Sequence, residues 1–162
     1  FLFCFFGKDG TSQQHLTKTW SISTGVTFNA KGGNATLHYH LNSFDEFRLN
    51  FYGIKHKYFF PPDNGELSLK AKNLSLEFSK GYKFRHIKKA TTNLGMGFFW
   101  GKETIEDNLL PTNNLFGIST FIEYEYAPLN WMTLFTRFKM LIPIHLARSK
   151  TLRLTFGSRF YF

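Results

Sequence analysis

The constraint that dominates this chain is an alternation of period two. In the closing stretch "TLRLTFGSRFYF", Leu152, Leu154, Phe156, Phe160 and Phe162 fall on one parity, and Arg153, Thr155, Gly157, Arg159 and Tyr161 on the other. Side chains on a strand point alternately to opposite faces, so one face of this strand meets an apolar medium and the other a polar one. The pattern recurs from Thr17 to the end, and no segment carries a convincing helical period. A chain built this way folds as an antiparallel sheet.

Seven further stretches read the same way. "TWSISTGVTFN" sets Trp20, Ile22, Val26 and Phe28 against Ser21, Ser23, Gly25 and Thr27. "ATLHYHL" sets Leu37, Tyr39 and Leu41 against Thr36, His38 and His40; "FRLNFYGIKHKYF" sets Phe47, Leu49 and Phe51 against Arg48, Asn50 and Tyr52. "LSLKAKNLSLEFSKGYKF" opposes Leu74, Leu76 and Phe78 to Ser75, Glu77 and Ser79, and "TTNLGMGFFWGKE" opposes Leu94, Met96, Phe98 and Trp100 to Asn93, Gly95, Gly97 and Gly101. "LFGISTFIEYEY" and "WMTLFTRFKML" complete the set. The segments between them are "AKGGN", "NSFDE", "PPDNG", "RHIKK", "TIEDNLLPTNN", "APLN" and "PIHLARSK", and all but the basic "RHIKK" carry the Gly, Pro, Asn or Asp expected of turns. Eight antiparallel strands joined to their neighbours predict an up-and-down barrel, an arrangement that leaves no free edge.

Alternation alone does not say which face is outside. In a soluble, lipocalin-like barrel the apolar row points inward around a ligand; in an outer-membrane barrel it points to lipid and the interior is polar. The two rows decide. The polar row mixes Gly, Ser, Thr and Asn with both signs of charge, namely Arg48, Glu77, Lys83, Glu103, Glu123, Glu125, Arg137, Lys139, Arg153 and Arg159. Charges of both signs neutralise one another in a confined lumen, and small residues beside long ones interdigitate there. The apolar row draws on 21 Phe, and eight such rows facing one narrow interior would overfill it. Trp20, Tyr82, Tyr124 and Trp131 gather towards the end with the short turns, as an interfacial girdle does. The stretch from Trp20 to Phe28 spans roughly 30 Å at ~3.3 Å per residue, enough when tilted by about 40° to cross a ~25 Å apolar band. The expected fold is therefore all-β, an eight-stranded antiparallel up-and-down transmembrane β-barrel of outer-membrane type over residues 17–162. Lys80 departs from this pattern, because it shares the lipid-facing parity of Phe78 and Tyr82.

No stretch approaches the ~18 consecutive apolar residues of a spanning helix. The opening "FLFCFF" resembles the apolar part of a secretory signal, so residues 1–16 are read as a residual signal segment of an exported protein. Cys4 is the only cysteine, which excludes a disulfide framework. The net charge of +9 invites nucleic acid, anionic lipid or a merely basic surface as explanations. No stacking platform with interleaved cations is present, so direct nucleic-acid binding is not expected.

The final strand, alternating and ending in Phe160 and Phe162, resembles the C-terminal signature of bacterial outer-membrane barrels. That resemblance implies that the outer-membrane assembly machinery reads it, by strand addition at a sheet edge. A narrower resemblance runs through "TFNAKGGN", "GKETIEDN", "LFGISTFIEYEYAPLNWMTLFTRFKML" and "LTFGSRFYF", which look like the TraO family of Bacteroides-type conjugative transposons. Those are small exported proteins encoded with a DNA-transfer apparatus. The resemblance implies a structural or docking role with transfer-apparatus proteins at the bacterial outer membrane. A general outer-membrane adhesion or stability barrel is the alternative, and a soluble ligand-binding barrel the third reading.

The candidate site residues fall into three groups. The first is a lumen network of His38, His40, Arg48, Glu77, Glu123, Glu125, Arg137, Lys139, Arg153 and Arg159. His38 and His40 stand at i, i+2 as a conceivable metal pair, but no third ligand accompanies them, and a hydrogen-bonded pair is the simpler expectation. The second is a basic rim of Lys55, Lys57, Lys70 and Lys72, flanking "PPDNG" on the outward parity, which would meet lipopolysaccharide; a solvated loop base is the plain alternative. The third is the assembly signal at Phe160 and Phe162. "GMGFFWGK" lacks the spacing of a phosphate loop and has Glu103 after the lysine, so its glycines are read as making room in the lumen. An enzyme of this shape needs a Ser/His pair at the lipid boundary. Ser158 has no histidine convincingly on its face, so no catalytic activity and no cofactor are expected.

Overall fold

A computed structural model describes residues 18–28, 31–60, 65–83, 87, 89–105, 113–144 and 151–162, with side chains for all but 56–60, 65–69, 105 and 113. The expected signal segment, residues 1–16, lies outside the described residues. Eight strands follow one another: β1 (Thr19–Thr27), β2 (Lys31–His40), β3 (Asp45–Phe60), β4 (Gly65–Lys83), β5 (Ala90–Ile105), β6 (Asn113–Leu129), β7 (Met132–Pro143) and β8 (Thr151–Tyr161). Each pairs antiparallel with the next, and β8 returns to β1 with Ile22 opposite Phe160 and Val26 opposite Phe156, which closes the barrel.

The faces are inverted relative to a soluble protein. Arg137, Lys139, Glu123 and Asn50 are 0% exposed, whereas Met96 is 64%, Phe98 60% and Leu76 59% exposed. Water would penalise such an exterior, since contiguous apolar surface of this extent marks an interaction surface. Register makes it continuous: Leu37, Leu49, Leu76, Phe98, Ile118 and Ile142 are successive cross-strand partners around six strands. Only a hydrocarbon environment suits that belt, and the closed barrel satisfies the backbone within it.

Several segments expected as turns lie partly in strands, among them Ala127, Pro128 and Leu129 of "APLN" in β6. Lys31, Gly32, Gly33 and Asn34 of "AKGGN" begin β2, with Gly33 opposite both Val26 and Gly53. Asp45 and Glu46 of "NSFDE" begin β3, because the true turn closes at Asn42. The Asn42 side-chain oxygen accepts from the backbone N–H of Phe44 at 2.7 Å and of Asp45 at 2.8 Å, a local turn lock. The β6–β7 hairpin turns on Asn130 and Trp131, with a register shift between Tyr126 and Leu129.

Lys80 finds its place near the short-turn end of β4, three positions before Lys83, with Asp45 as its cross-strand partner. A lysine there lies near the interface, where it costs little. At the opposite end β3, β4, β5 and β6, at 16, 19, 16 and 17 residues, outreach the other four strands. One wall of the barrel thus stands well above the lipid belt.

Candidate functional site

The lumen holds a polar core to which every strand contributes. Glu46 is its first hub. It accepts from Arg48 Nε at 2.6 Å, from Ser79 Oγ at 3.0 Å and from Arg159 Nη1 at 3.1 Å, and faces His38 Nδ1 at 3.2 Å. Glu123 is the second, accepting from Arg137 Nε at 2.6 Å and Arg159 Nη2 at 2.8 Å, with Arg48 Nη2 at 2.7 Å and Asn93 Nδ2 at 3.3 Å. Arg159 also meets Glu125 at 2.6 Å. A third cluster centres on Glu77, which pairs with Lys139 and accepts from Asn50 Nδ2 at 2.6 Å and from Ser75 and Ser119 at 2.9 Å each.

Within these clusters Arg48, Arg137, Lys139 and Arg159 oppose Glu46, Glu77, Glu123 and Glu125, so the charges balance. Buried charges need such pairing, because each would otherwise bear an unreturned desolvation cost. Aromatic faces supply the rest. The Arg48 guanidinium lies 4.4 Å from the Phe121 centroid, and Lys139 Nζ 4.4 Å from that of Tyr52. Gly95 makes room for this: a Cβ there would collide with the Phe121 ring and stand 2.8 Å from the Phe78 carbonyl.

His38 and His40 are both buried and point inward. Their Nε2 atoms lie 2.8 Å from Ser23 Oγ and Ser21 Oγ respectively, and their Nδ1 atoms face Glu46. The rings stack at 6.3 Å, and both ring nitrogens of each are engaged within the network. Among the described residues no group of three or more His, Cys, Asp and Glu side chains is arranged to hold a metal ion. Arg153 is buried on the inward face, its guanidinium 5.3 Å from the Tyr52 ring.

Sequence reasoning passed over Glu46, the acid with the most partners, because it sat in a presumed turn. The signal was present: Glu46 lies two residues before Arg48 and so shares its face. Sequence reasoning placed Tyr52 on the inward row but passed over the other large apolar side chains there. Phe99, Leu115 and Leu141 form a buried cluster towards the long-strand end, with Tyr52, Ile54 and Ala71 also buried there. The lumen is therefore layered, an ionic core below and an apolar packing above.

On the outside, Lys55, Lys70 and Lys72 lie on the outward parity at the base of the tall wall; the Lys57 side chain lies outside the described residues. Phe160 is outward and stacks on Trp131 with centroids 6.2 Å apart, while Phe162 is 71% exposed. Trp20, Tyr124 and Trp131 are exposed around the short-turn end, where the girdle is expected.

No protein-family model matches the chain, and no curated protein is similar to it in sequence. Solved structures do share its fold. The outer membrane protein OprG of Pseudomonas aeruginosa aligns with a TM-score of 0.69 at 11% identity, over 95% of this chain and 99% of that one. The N-terminal β-barrel domain of OprF from the same organism gives 0.67 at 13%, over 90% and 98%. Ail, the attachment invasion locus protein of Yersinia pestis, in complex with the heparin analogue sucrose octasulfate, gives 0.61 at 13%, over 90% and 99%. The chain is an eight-stranded barrel of the outer-membrane type.

Proposed function

We propose that this protein is a non-enzymatic barrel of the bacterial outer membrane, of the adhesion or stability kind, that acts through its outer wall and rim. One observation carries the reading: all eight strands feed a balanced ionic core capped by apolar packing, so the interior is a plug. Ser21 and Ser23 on β1, His38 on β2, Glu46 on β3, Glu77 on β4, Asn93 on β5, Glu123 on β6, Arg137 on β7 and Arg159 on β8 are all members. With a filled lumen, the exposed surface is what remains to meet partners. The fold shared with Ail, an attachment protein, supports a surface role. Outer-membrane lipid and the assembly machinery, the latter through the terminal strand, are the partners this reading requires.

A docking role beside a conjugative DNA-transfer apparatus is the second reading, carried by the TraO-like segments of the sequence. Both readings are tested on a tagged chain expressed in native cells. The expected result is recovery from outer membranes, as a band whose gel mobility changes on heating, with no steady conductance in planar bilayers. Co-purification of transfer-apparatus proteins would select the second reading; recovery from the soluble fraction would overturn both.

A further inference from the structure

Towards the tall end, register gathers five of the described lysines on one wall. Lys31 on β2 is the partner of Lys55 on β3, which is the partner of Lys70 on β4. One outward position nearer the belt, Gly33, Gly53, Lys72, Lys102 and Asn114 run side by side across β2 to β6. The next outward row is Ala35, Phe51, Leu74, Trp100 and Phe116. Across the barrel, the described residues exposed near the same end include apolar ones: Phe28 is 68%, Leu152 59% and Ile144 51% exposed.

The two facing glycines leave a hollow in this wall. A Cβ on Gly53 would meet nothing within 4 Å. A groove of about 720 Å³ runs here, lined by Gly33 and Gly53, by Lys72 and Lys102, and by Phe51, Leu74 and Trp100. Its cationic side lies towards the tall rim and its apolar side towards the lipid belt. That order matches an amphiphile standing upright in the outer leaflet, with anionic head above and acyl chains below. A phosphorylated, acylated saccharide is the fitting occupant, since phosphates pair with ammonium groups and chains pack on Phe51 and Leu74.

We infer that the groove over Gly33 and Gly53 is a binding site for the phosphorylated lipid portion of one lipopolysaccharide molecule, its phosphate held by Lys72 and Lys102. Lys31, Lys55 and Lys70 form the upper bank. The inference rests on the outer-membrane reading above and adds a located site and ligand class to it. Trp100, 63% exposed beside Leu74 and Lys102, is a built-in reporter.

The experiment uses the full chain carrying Trp20→Phe and Trp131→Phe, folded in detergent, with heat-dependent gel mobility as the fold control. Diphosphorylated lipid A is titrated while Trp100 fluorescence is read, beside dephosphorylated lipid A and phosphatidylglycerol. A saturable change is expected with diphosphorylated lipid A alone. Lys72→Gln with Lys102→Gln should weaken it by about tenfold or more, at roughly 1 kcal/mol per lysine near a charged surface. Lys72→Arg with Lys102→Arg should retain binding, and Lys80→Gln, at the other end, should leave it unchanged. Undiminished binding by the double Gln variant overturns the site, as does equal binding of phosphatidylglycerol, which would indicate adsorption to any anionic lipid. Failure of the parent chain to give a heat-sensitive band in detergent would instead remove the outer-membrane reading, before any titration.

Discussion

Arg159, near the C-terminus, reaches across the lumen to Glu46 at the start of β3, Nη1 to Oε2 at 3.1 Å, over a sequence separation of 113. The same guanidinium touches Glu123 and Glu125 through Nη2, so one side chain of the last strand ties β8 to β3 and β6. Glu46 in turn engages Arg48, Ser79 and His38. The strand that closes the barrel against β1 thus also carries the side chain that joins two carboxylate clusters of its core. Replacing Glu46 by Gln leaves the buried Arg48 and Arg159 short of a counter-charge. The expected loss is about 3–5 kcal/mol, the range for breaking a buried pair from one side. Urea unfolding in micelles measures it. Adding Arg159→Met should cost less than the two single losses combined, which a double-mutant cycle reads directly.

Gly95 and Phe121 form a second coupled pair. The ring of Phe121 occupies the space a Cβ on Gly95 would need, and in that place covers the Arg48 guanidinium at 4.4 Å. Gly95→Ala should therefore destabilise by about 1–3 kcal/mol, as overpacking does. Phe121→Leu in the same chain should recover part of that loss, and only part, because the Phe78 carbonyl also stands 2.8 Å from the new methyl. Midpoints of urea unfolding for the two single variants and the double variant separate these terms.

The strands and their two faces were legible because a period of two is local: each residue reports its own side through its neighbours. Strand ends were less so, since pairing sets them. Glu46 is in β3 because His40 lies opposite it, and Gly33 is in β2 because Gly53 does. The inward aromatics Phe99, Phe121 and Phe135 sit on the polar parity, and only the packed lumen shows what they cover: Phe121 lies beside both Arg48 and Arg137, and Phe135 beside Arg137. Lys31 and Lys102 joined the basic wall for a related reason. They are distant in sequence from Lys55 and Lys72, and cross-strand register alone makes them neighbours.

Depth along one strand should govern the cost of a lysine. Leu76 lies in the apolar row between Leu49 and Phe98, while Lys80, four residues on, has Asp45 across the pair. Leu76→Lys is expected to cost about 2–4 kcal/mol and Lys80→Leu to change stability by no more than ~1 kcal/mol. Unfolding in lipid bilayers, where the belt has a defined thickness, is the appropriate measurement. Equal effects at the two positions would mean that the belt has been placed at the wrong height.

Phe162 separates a role in assembly from a role in the finished barrel. It is 71% exposed, and its backbone N–H donates to the Trp20 carbonyl at a long 3.4 Å, so little of the folded structure depends on it. Phe160 differs: it lies in the closing ladder opposite Ile22 and Met132 and stacks on Trp131. If the terminal aromatic is read by the assembly machinery, deleting Phe162 should slow the appearance of the heat-sensitive folded form in cells several-fold. The urea midpoint of the purified barrel should stay unchanged, within the ~0.5 kcal/mol typical of surface changes. Phe160→Ala should impair both. A pulse-chase in cells set against unfolding in micelles resolves the two, and normal assembly of the Phe162 deletion would remove the signal role from that residue.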